Sequence, residues 1–212
     1  MSRPLVSVHF PKAAGSSLAK QLRDFYQDAL SLDYDHDPLG PNAAEQADTL
    51  YPGARAVHGH FAARRYEALP DAMFITVLRE PLDNLMSIYF FWKGYPAHGN
   101  PIHDRFVAEA PSFEDFSRYP EMSRLMSERY FGGFDMDRFD MVGFHETRDQ
   151  DIPRLGALLG APLKAEIYEN RTSGEHEQAR QEILADLAQC ARVRGNLRHD
   201  IAFYEAQRAK RA

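Results

Sequence analysis

Three short clusters in this chain carry side chains suited to handling anions and protons. The first is Lys12-Ala13-Ala14-Gly15-Ser16-Ser17. Its lysine supplies a positive charge, its serines supply hydroxyl donors, and Gly15 lets the backbone approach a ligand closely. The second is Arg79, followed eight residues later by Ser87. That spacing is a little over two helical turns, so a hydroxyl can lie on the helix side below the guanidinium, and the pair suits a second phosphate group. The third is His58-Gly59-His60. Imidazole titrates near neutral pH and is suited to taking a proton from a reacting hydroxyl.

The elements around these clusters would bring them together. Leu5 to Phe10 reads as a buried strand, Pro11 and Lys12 break it, and Leu18 to Leu22 begins a helical period. A strand, a tight loop and a helix present backbone N–H groups and a helix N-terminus to an anion. The usual triphosphate loop, GxxxxGK followed by Ser or Thr, is absent here, because the lysine precedes Gly15 by three residues. An ordinary strand–helix turn with a solvated lysine is the alternative. Ala54 to His58 reads as a second strand ending at the histidine pair, and Ala72 to Leu78 as a central parallel strand buried on both faces and ending at Arg79. Pro81 suits the first position of the following helix, which runs to about Lys93.

Elsewhere the pattern predicts a first helix running to about Leu30, a surface loop over Asp33–Asn42 and a short helix over Ala43–Leu50. A turn-rich stretch from Gly94 to Pro111 has the length of a binding loop. Short helices follow near Ser112–Arg118 and Glu121–Phe131, then a strand over Phe139–Phe144 and a helix over Glu146–Leu159 closed by Gly160. Glu175 to about Ala209 reads as mostly helical, interrupted at Gly195-Asn196. Alternating strands and helices imply a single α/β domain over residues 1–212, three-layered, with a mainly parallel central sheet flanked by helices. Ligands of such sheets bind beyond the carboxyl ends of the strands, which would place Lys12, His58, His60 and Arg79 at one edge.

Composition narrows the classes. The chain has 212 residues, 44% hydrophobic and 26% charged, as expected of one globular domain. A formal net charge of −6 argues against non-specific nucleic-acid binding, so any basic site must be local. One cysteine, Cys190, excludes an intrachain disulfide and a cysteine metal cluster, and it reads as buried and inert. No run approaches the apolar length of a membrane span, and a cytoplasmic setting is expected.

With these residues in place a resemblance can be stated. HFPKAAGSS resembles the 5′-phosphosulfate-binding loop of sulfotransferases, especially the HxPKTAGTS form of the carbohydrate enzymes. VLREPLDNLMSIY resembles their 3′-phosphate segment. VHGHF resembles the histidine motif of the uronyl and heparan-sulfate 2-O-sulfotransferases. FDMVGFHE is similar to a later strand and helix entry, the polar loop at Arg171 to one that covers the nucleotide, and HDIAFYE around Asp200 to the closing helix. The resemblance spans most of the chain. The departures are Ala13-Ala14, where Thr-Ala or Thr-Gly is commoner, and Ser16 for threonine; both keep the loop small and hydroxylated. The Golgi members carry an N-terminal membrane anchor, and this sequence does not match that pattern.

The resemblance implies a P-loop-like fold and a PAPS-dependent sulfotransferase. The donor is 3′-phosphoadenosine 5′-phosphosulfate, PAP is the product, and the acceptor is a hydroxyl, most naturally on a carbohydrate or glycolipid. No metal is required if lysine, arginine and backbone dipoles neutralise the leaving phosphate. Lys12 to Ser17 would meet the 5′-phosphate, and Arg79 and Ser87 the 3′-phosphate. Arg171 and Thr172 would close over the nucleotide. His58 is the expected base with His60 assisting, unless one of the pair packs beneath the loop. Arg64, Arg65 and Lys93 would meet an acidic acceptor, with a solvated basic face as the bland alternative. An oligomer is compatible with everything above. The competing classes are a nucleotide-dependent kinase of related fold and an inactive protein that binds PAP.

Overall fold

The structure is a computed structural model and describes residues 3–13, 15–43, 45–165 and 174–211. Its strands are β1 (Leu5–Val8), β2 (Leu30–Leu32), β3 (Ala56–Gly59), β4 (Met73–Leu78) and β5 (Phe139–Phe144). They form one sheet in the order β2-β3-β1-β4-β5, and every neighbouring pair runs parallel. The parallel α/β class expected from the alternating pattern is the one observed. The reason lies in β1 and β4: Leu5, Val6, Phe74 and Ile75 are all within 1% of complete burial, as central strands covered on both faces must be. The buried polar Thr76 donates its hydroxyl to the Val8 carbonyl at 2.9 Å, which ties the two strands near their carboxyl ends.

The helices are α1 (Gly15–Tyr26), α2 (Pro81–Lys93), α3 (Pro101–Glu109), α4 (Phe113–Phe116), α5 (Pro120–Ser123), α6 (Arg148–Leu159), α7 (Gly174–Ala185), α8 (Leu187–Asn196) and α9 (Arg198–Ala209). Local chemistry sets many of their ends. Glu80 caps α2 by accepting the Asp83 N–H at 2.8 Å, with Pro81 at the first position. Asn100 caps α3 in the same way through Ile102 and His103, again with a proline following. α6 closes on Gly160 at φ +66°, a left-handed position that glycine adopts without strain.

The chain divides into two compact units. One comprises Met1–Arg79 with Tyr130–Glu169 and holds the whole sheet, α1 and α6; the other comprises Glu80–Arg129 with Asn170–Ala212 and is helical. In the helical unit Tyr89, Trp92, Phe106, Phe113 and Phe116 pack ring against ring. Buried Asp200, on α9, accepts the Met126 and Ser127 N–H groups and the Ser127 hydroxyl at 2.6–2.9 Å. Burial raises its pKa, with the hydrogen bonds from Ser127 and Met126 opposing the rise.

Several sequence expectations need correction. The helix expected to run to about Leu30 ends at Tyr26, and Leu30 opens β2; three residues are too few to show a period, and this edge strand exists because β3 offers it a partner. Among the described residues of 43–50 there is no helix. Their backbone is engaged elsewhere: Ala47 donates its N–H to the Arg65 carbonyl, and Arg65 donates to the Glu45 carbonyl. The supposed loop from Gly94 to Pro111 contains α3. The segment from Glu121 to Phe131 is not one helix but α5 followed by a π-helical turn over Leu125–Tyr130. The C-terminal helical stretch is three helices, broken at Asp186 and at Leu197 rather than at Gly195-Asn196.

Candidate active site at the carboxyl edge of the sheet

The register of the central strands decides what meets beyond them. Val8 of β1 pairs with Gly59 of β3 and with Thr76 of β4. His9 and His60 therefore leave neighbouring strands side by side, and the His9 N–H donates to the Gly59 carbonyl at 2.9 Å. Arg79 follows β4 directly. Its guanidinium donates to the Lys12 carbonyl at 2.9 Å and so ties the exit of β4 to the loop after β1. Lys12 stands in the left-handed region at φ +58°, an uncommon conformation for a residue with a Cβ that collects at ligand-binding turns.

The electrostatics of this edge are those of crowded cations. Burial, and then the Arg79 guanidinium, lower the Lys12 pKa. Burial drives the His9 pKa well below the usual imidazole value, and His60, His58 and Lys12 push it further down, so His9 is neutral at pH 7. A bound anion would favour the charged form of Lys12.

Three imidazoles gather at the same edge. His9 lies parallel to His58 with ring centroids 5.0 Å apart, and edge-on to His60 at 4.3 Å. His58, placed here by sequence as the base, is 0% exposed. Its Nδ1 pairs with the Ser7 hydroxyl at 2.8 Å, directly across the β1–β3 register. Its ring lies against that of His9. His60 has the arrangement of a positioned base. Its Nδ1 meets Asp37 Oδ2 at 2.9 Å and its side chain is 24% exposed. Its buried Nε2 has no hydrogen-bond partner among the described residues. A carboxylate on Nδ1 holds that proton and leaves the lone pair on Nε2. Tyr34 meets His9 Nδ1 through its hydroxyl at 3.3 Å and lies edge-on to His60. Burial raises the pKa of Tyr34 and of Tyr130, which also packs against His60, so both phenols stay protonated.

The segment carrying Tyr34 and Asp37 is anchored at Asp33. Asp33 donates its N–H to the His58 carbonyl, and its backbone passes so close over Gly59 that a Cβ there would lie 1.7 Å from the Asp33 carbonyl oxygen. Its buried carboxylate accepts from Arg65 Nε at 2.6 Å and from the Tyr66 hydroxyl at 2.8 Å, and it meets His36 Nδ1 at 2.6 Å. Burial acts to raise the Asp33 pKa, but the bonds from His36, Tyr66 and Arg65 outweigh it and the net shift is downward.

The other expected residues fall in different places. Arg65, expected at an acidic acceptor, is instead 8% exposed and committed to Asp33. Arg64 is exposed and lies 3.6 Å from Glu67. Ala13 is buried, and α1 begins at Gly15 just beyond it. Ser17 is half-buried in the first turn of α1. Ser87, midway along α2, and Lys93, at its end with Nζ 5.4 Å from the Tyr89 ring centroid, belong to the helical unit. Ala14, Arg171 and Thr172, and the side chains of Gly15 and Ser16, lie outside the described residues. Sequence reasoning missed His9, Tyr34 and Asp37. His9 had a visible signal as the last polar residue before the Pro-Lys break. Tyr34 and Asp37 had none, because their segment has the composition of a surface loop.

No protein-family model matches the chain, and no curated protein matches it either. Among solved structures, a sulfotransferase from Alicyclobacillus acidocaldarius is similar at 17% identity and a TM-score of 0.39, over 97% of this chain and 100% of that one. Mouse sulfotransferase SULT7A1 complexed with PAP is similar at 13% identity and a TM-score of 0.38, over 85% of this chain and 63% of that one. Both TM-scores lie below 0.5, too low for either neighbour to lend its chemistry to this chain.

Among the described residues no helix is long and apolar enough to cross a membrane.

Proposed function

We propose that this protein is a sulfotransferase that moves a sulfuryl group from 3′-phosphoadenosine 5′-phosphosulfate to an acceptor hydroxyl, with His60 rather than His58 as the base. The observation that carries this reading is the cationic edge itself: Lys12 and Arg79, drawn together from the exits of β1 and β4, stand beside an Asp37-held imidazole. The donor brings an activated sulfuryl group with a phosphate as leaving group, and its several negative charges fit a place where burial and the Arg79 guanidinium hold the Lys12 pKa down.

The residues then have separable tasks. Lys12, with the N-terminus of α1, meets charge gathering on the leaving phosphate. Arg79 holds the Lys12 loop through its carbonyl and adds positive charge for phosphate; Ser87 is assigned to the 3′-phosphate on the sequence resemblance alone, as are Arg171 and Thr172. His60 Nε2 takes the proton of the acceptor hydroxyl as its oxygen bonds to sulfur. The sulfur–oxygen bond to the phosphate breaks, and its electron pair leaves with PAP. Asp37 fixes the tautomer and stabilises the imidazolium that forms. The VHGHF resemblance favours a carbohydrate hydroxyl as acceptor.

The test is calorimetric titration with PAP, AMP and ATP in metal-free buffer, and with ATP plus magnesium, using the whole chain and its Lys12→Ala variant. PAP is expected to bind at least tenfold more tightly than AMP or ATP, and the variant to bind PAP and AMP alike more weakly, because both carry the 5′-phosphate that Lys12 meets. Equal binding of all three, or a preference for ATP with magnesium, overturns the reading in favour of a kinase.

A further inference from the structure

The turn between α2 and α3 gathers a second group of chemically capable side chains, wholly within the helical unit and independent of the sheet edge. His98, His103 and Asp104 place one ligating atom each within 4.8 Å of one another. His103 is only 2% exposed. Its Nε2 lies 3.3 Å from the Trp92 carbonyl, which can only accept, so the ring proton sits on Nε2. Nδ1 then carries a lone pair. That atom is buried, has no hydrogen-bond partner among the described residues, and lies 3.9 Å from Asp104 Oδ1. A buried lone pair facing a carboxylate is poorly placed for folding alone, because two acceptors meet with no donor between them. A cation between them satisfies both.

The rest of the turn is already arranged around these ligands. Asp104 accepts the His98 and Gly99 N–H groups at 2.9 and 3.0 Å, which holds its carboxylate against the turn. The Nδ1 of His98 lies 3.4 Å from the Pro96 carbonyl, leaving Nε2 to ligate, and the two imidazole centroids are 4.6 Å apart. Backbone carbonyls on the far nitrogens are the outer contacts that orient metal-binding histidines. Tetrahedral zinc with bonds of about 2.0–2.1 Å needs ligand atoms about 3.3 Å apart, and exposed His98 can close that gap by a side-chain movement.

We propose that His98, His103 and Asp104 bind a divalent transition-metal ion, zinc by ligand type, that clips the turn after α2 to the start of α3. Two imidazoles and one carboxylate select zinc, cobalt or nickel over magnesium or calcium. Three protein ligands leave a fourth position for water. The site asks nothing of sulfuryl transfer and stands or falls separately from it.

Zinc alone is titrated calorimetrically into the metal-free full-length protein, beside its His98→Gln variant, with magnesium as control. One zinc per chain is expected, with affinity at least tenfold weaker in the variant and no magnesium heat. Amide exchange over residues 98–104 should slow on zinc addition in the parent and not in the variant. No zinc binding by the parent, or equal binding by the variant, overturns the proposal. His98 is exposed and its replacement leaves Asp104 and the buried His103 in place, so the variant is expected to fold.

Discussion

Gly59→Ala is the substitution whose effect the structure specifies most closely. The added methyl would lie 1.7 Å from the Asp33 carbonyl oxygen, 2.4 Å from its carbonyl carbon and 2.9 Å from its nitrogen, all main-chain atoms. Ordinary contact begins at about 3.5 Å, so the Asp33 backbone must retreat by roughly 2 Å. That is enough to carry the 2.6 and 2.8 Å bonds from Arg65 and Tyr66 out of reach. Separating a buried ion pair costs about 3–5 kcal/mol. For a chain of this length each kcal/mol lowers the melting midpoint by about 2–4 °C, so a fall of roughly 6–20 °C is expected. Thermal unfolding followed by circular dichroism measures it. Gly53→Ala is the control: Gly53 has φ +81° but open space around its Cβ position, so only about 1 kcal/mol of backbone strain is expected. A Gly59→Ala midpoint within 2 °C of the parent, or no lower than that of Gly53→Ala, would refute the claim that Asp33 is pinned against the strand.

The histidine assignments separate in kinetics and stability. His60→Ala is expected to lower turnover by about 10²–10⁴-fold with PAP affinity unchanged, whereas His58→Ala, which empties a fully buried position, should lower the melting midpoint. A His58 variant that melts normally but is inactive, beside an active His60 variant, would restore His58 as the base. Acid should weaken the protein through Asp33. Its native pKa is held below the ordinary carboxylate value, so the stabilisation is complete above about pH 4 and is lost as pH falls through the lower native value. In urea unfolding, the gap between the parent and Asp33→Asn should therefore narrow from pH 7 into the acid range; a constant gap would contradict the assignment.

The elements legible in the sequence were those whose pattern is local. β4 is a six-residue apolar run ending at Arg79, and the parallel class followed from its alternation with helices. α2 declared itself through Pro81 and its apolar period. β2 was illegible because three residues show no period and its pairing is supplied by β3. The helix expected over 43–50 failed because its apparent propensity was overridden by Arg65, whose backbone and guanidinium both engage that segment.

By itself the sequence determined the kinds of chemistry available: a small, lysine-bearing loop after a strand, an arginine at the next strand exit and a histidine pair. Which of these act together depended on tertiary structure. His58 and His60 are two residues apart and look equivalent in one dimension. Strand register buries His58 against Ser7, while a segment more than twenty residues away brings Asp37 to His60. Arg64 and Arg65 look equally free, yet only Arg65 meets Asp33. Local pattern reports a residue's type and its secondary structure; burial and hydrogen-bond partners arise from packing between distant segments, and those contacts give like neighbours in sequence different partners in the fold.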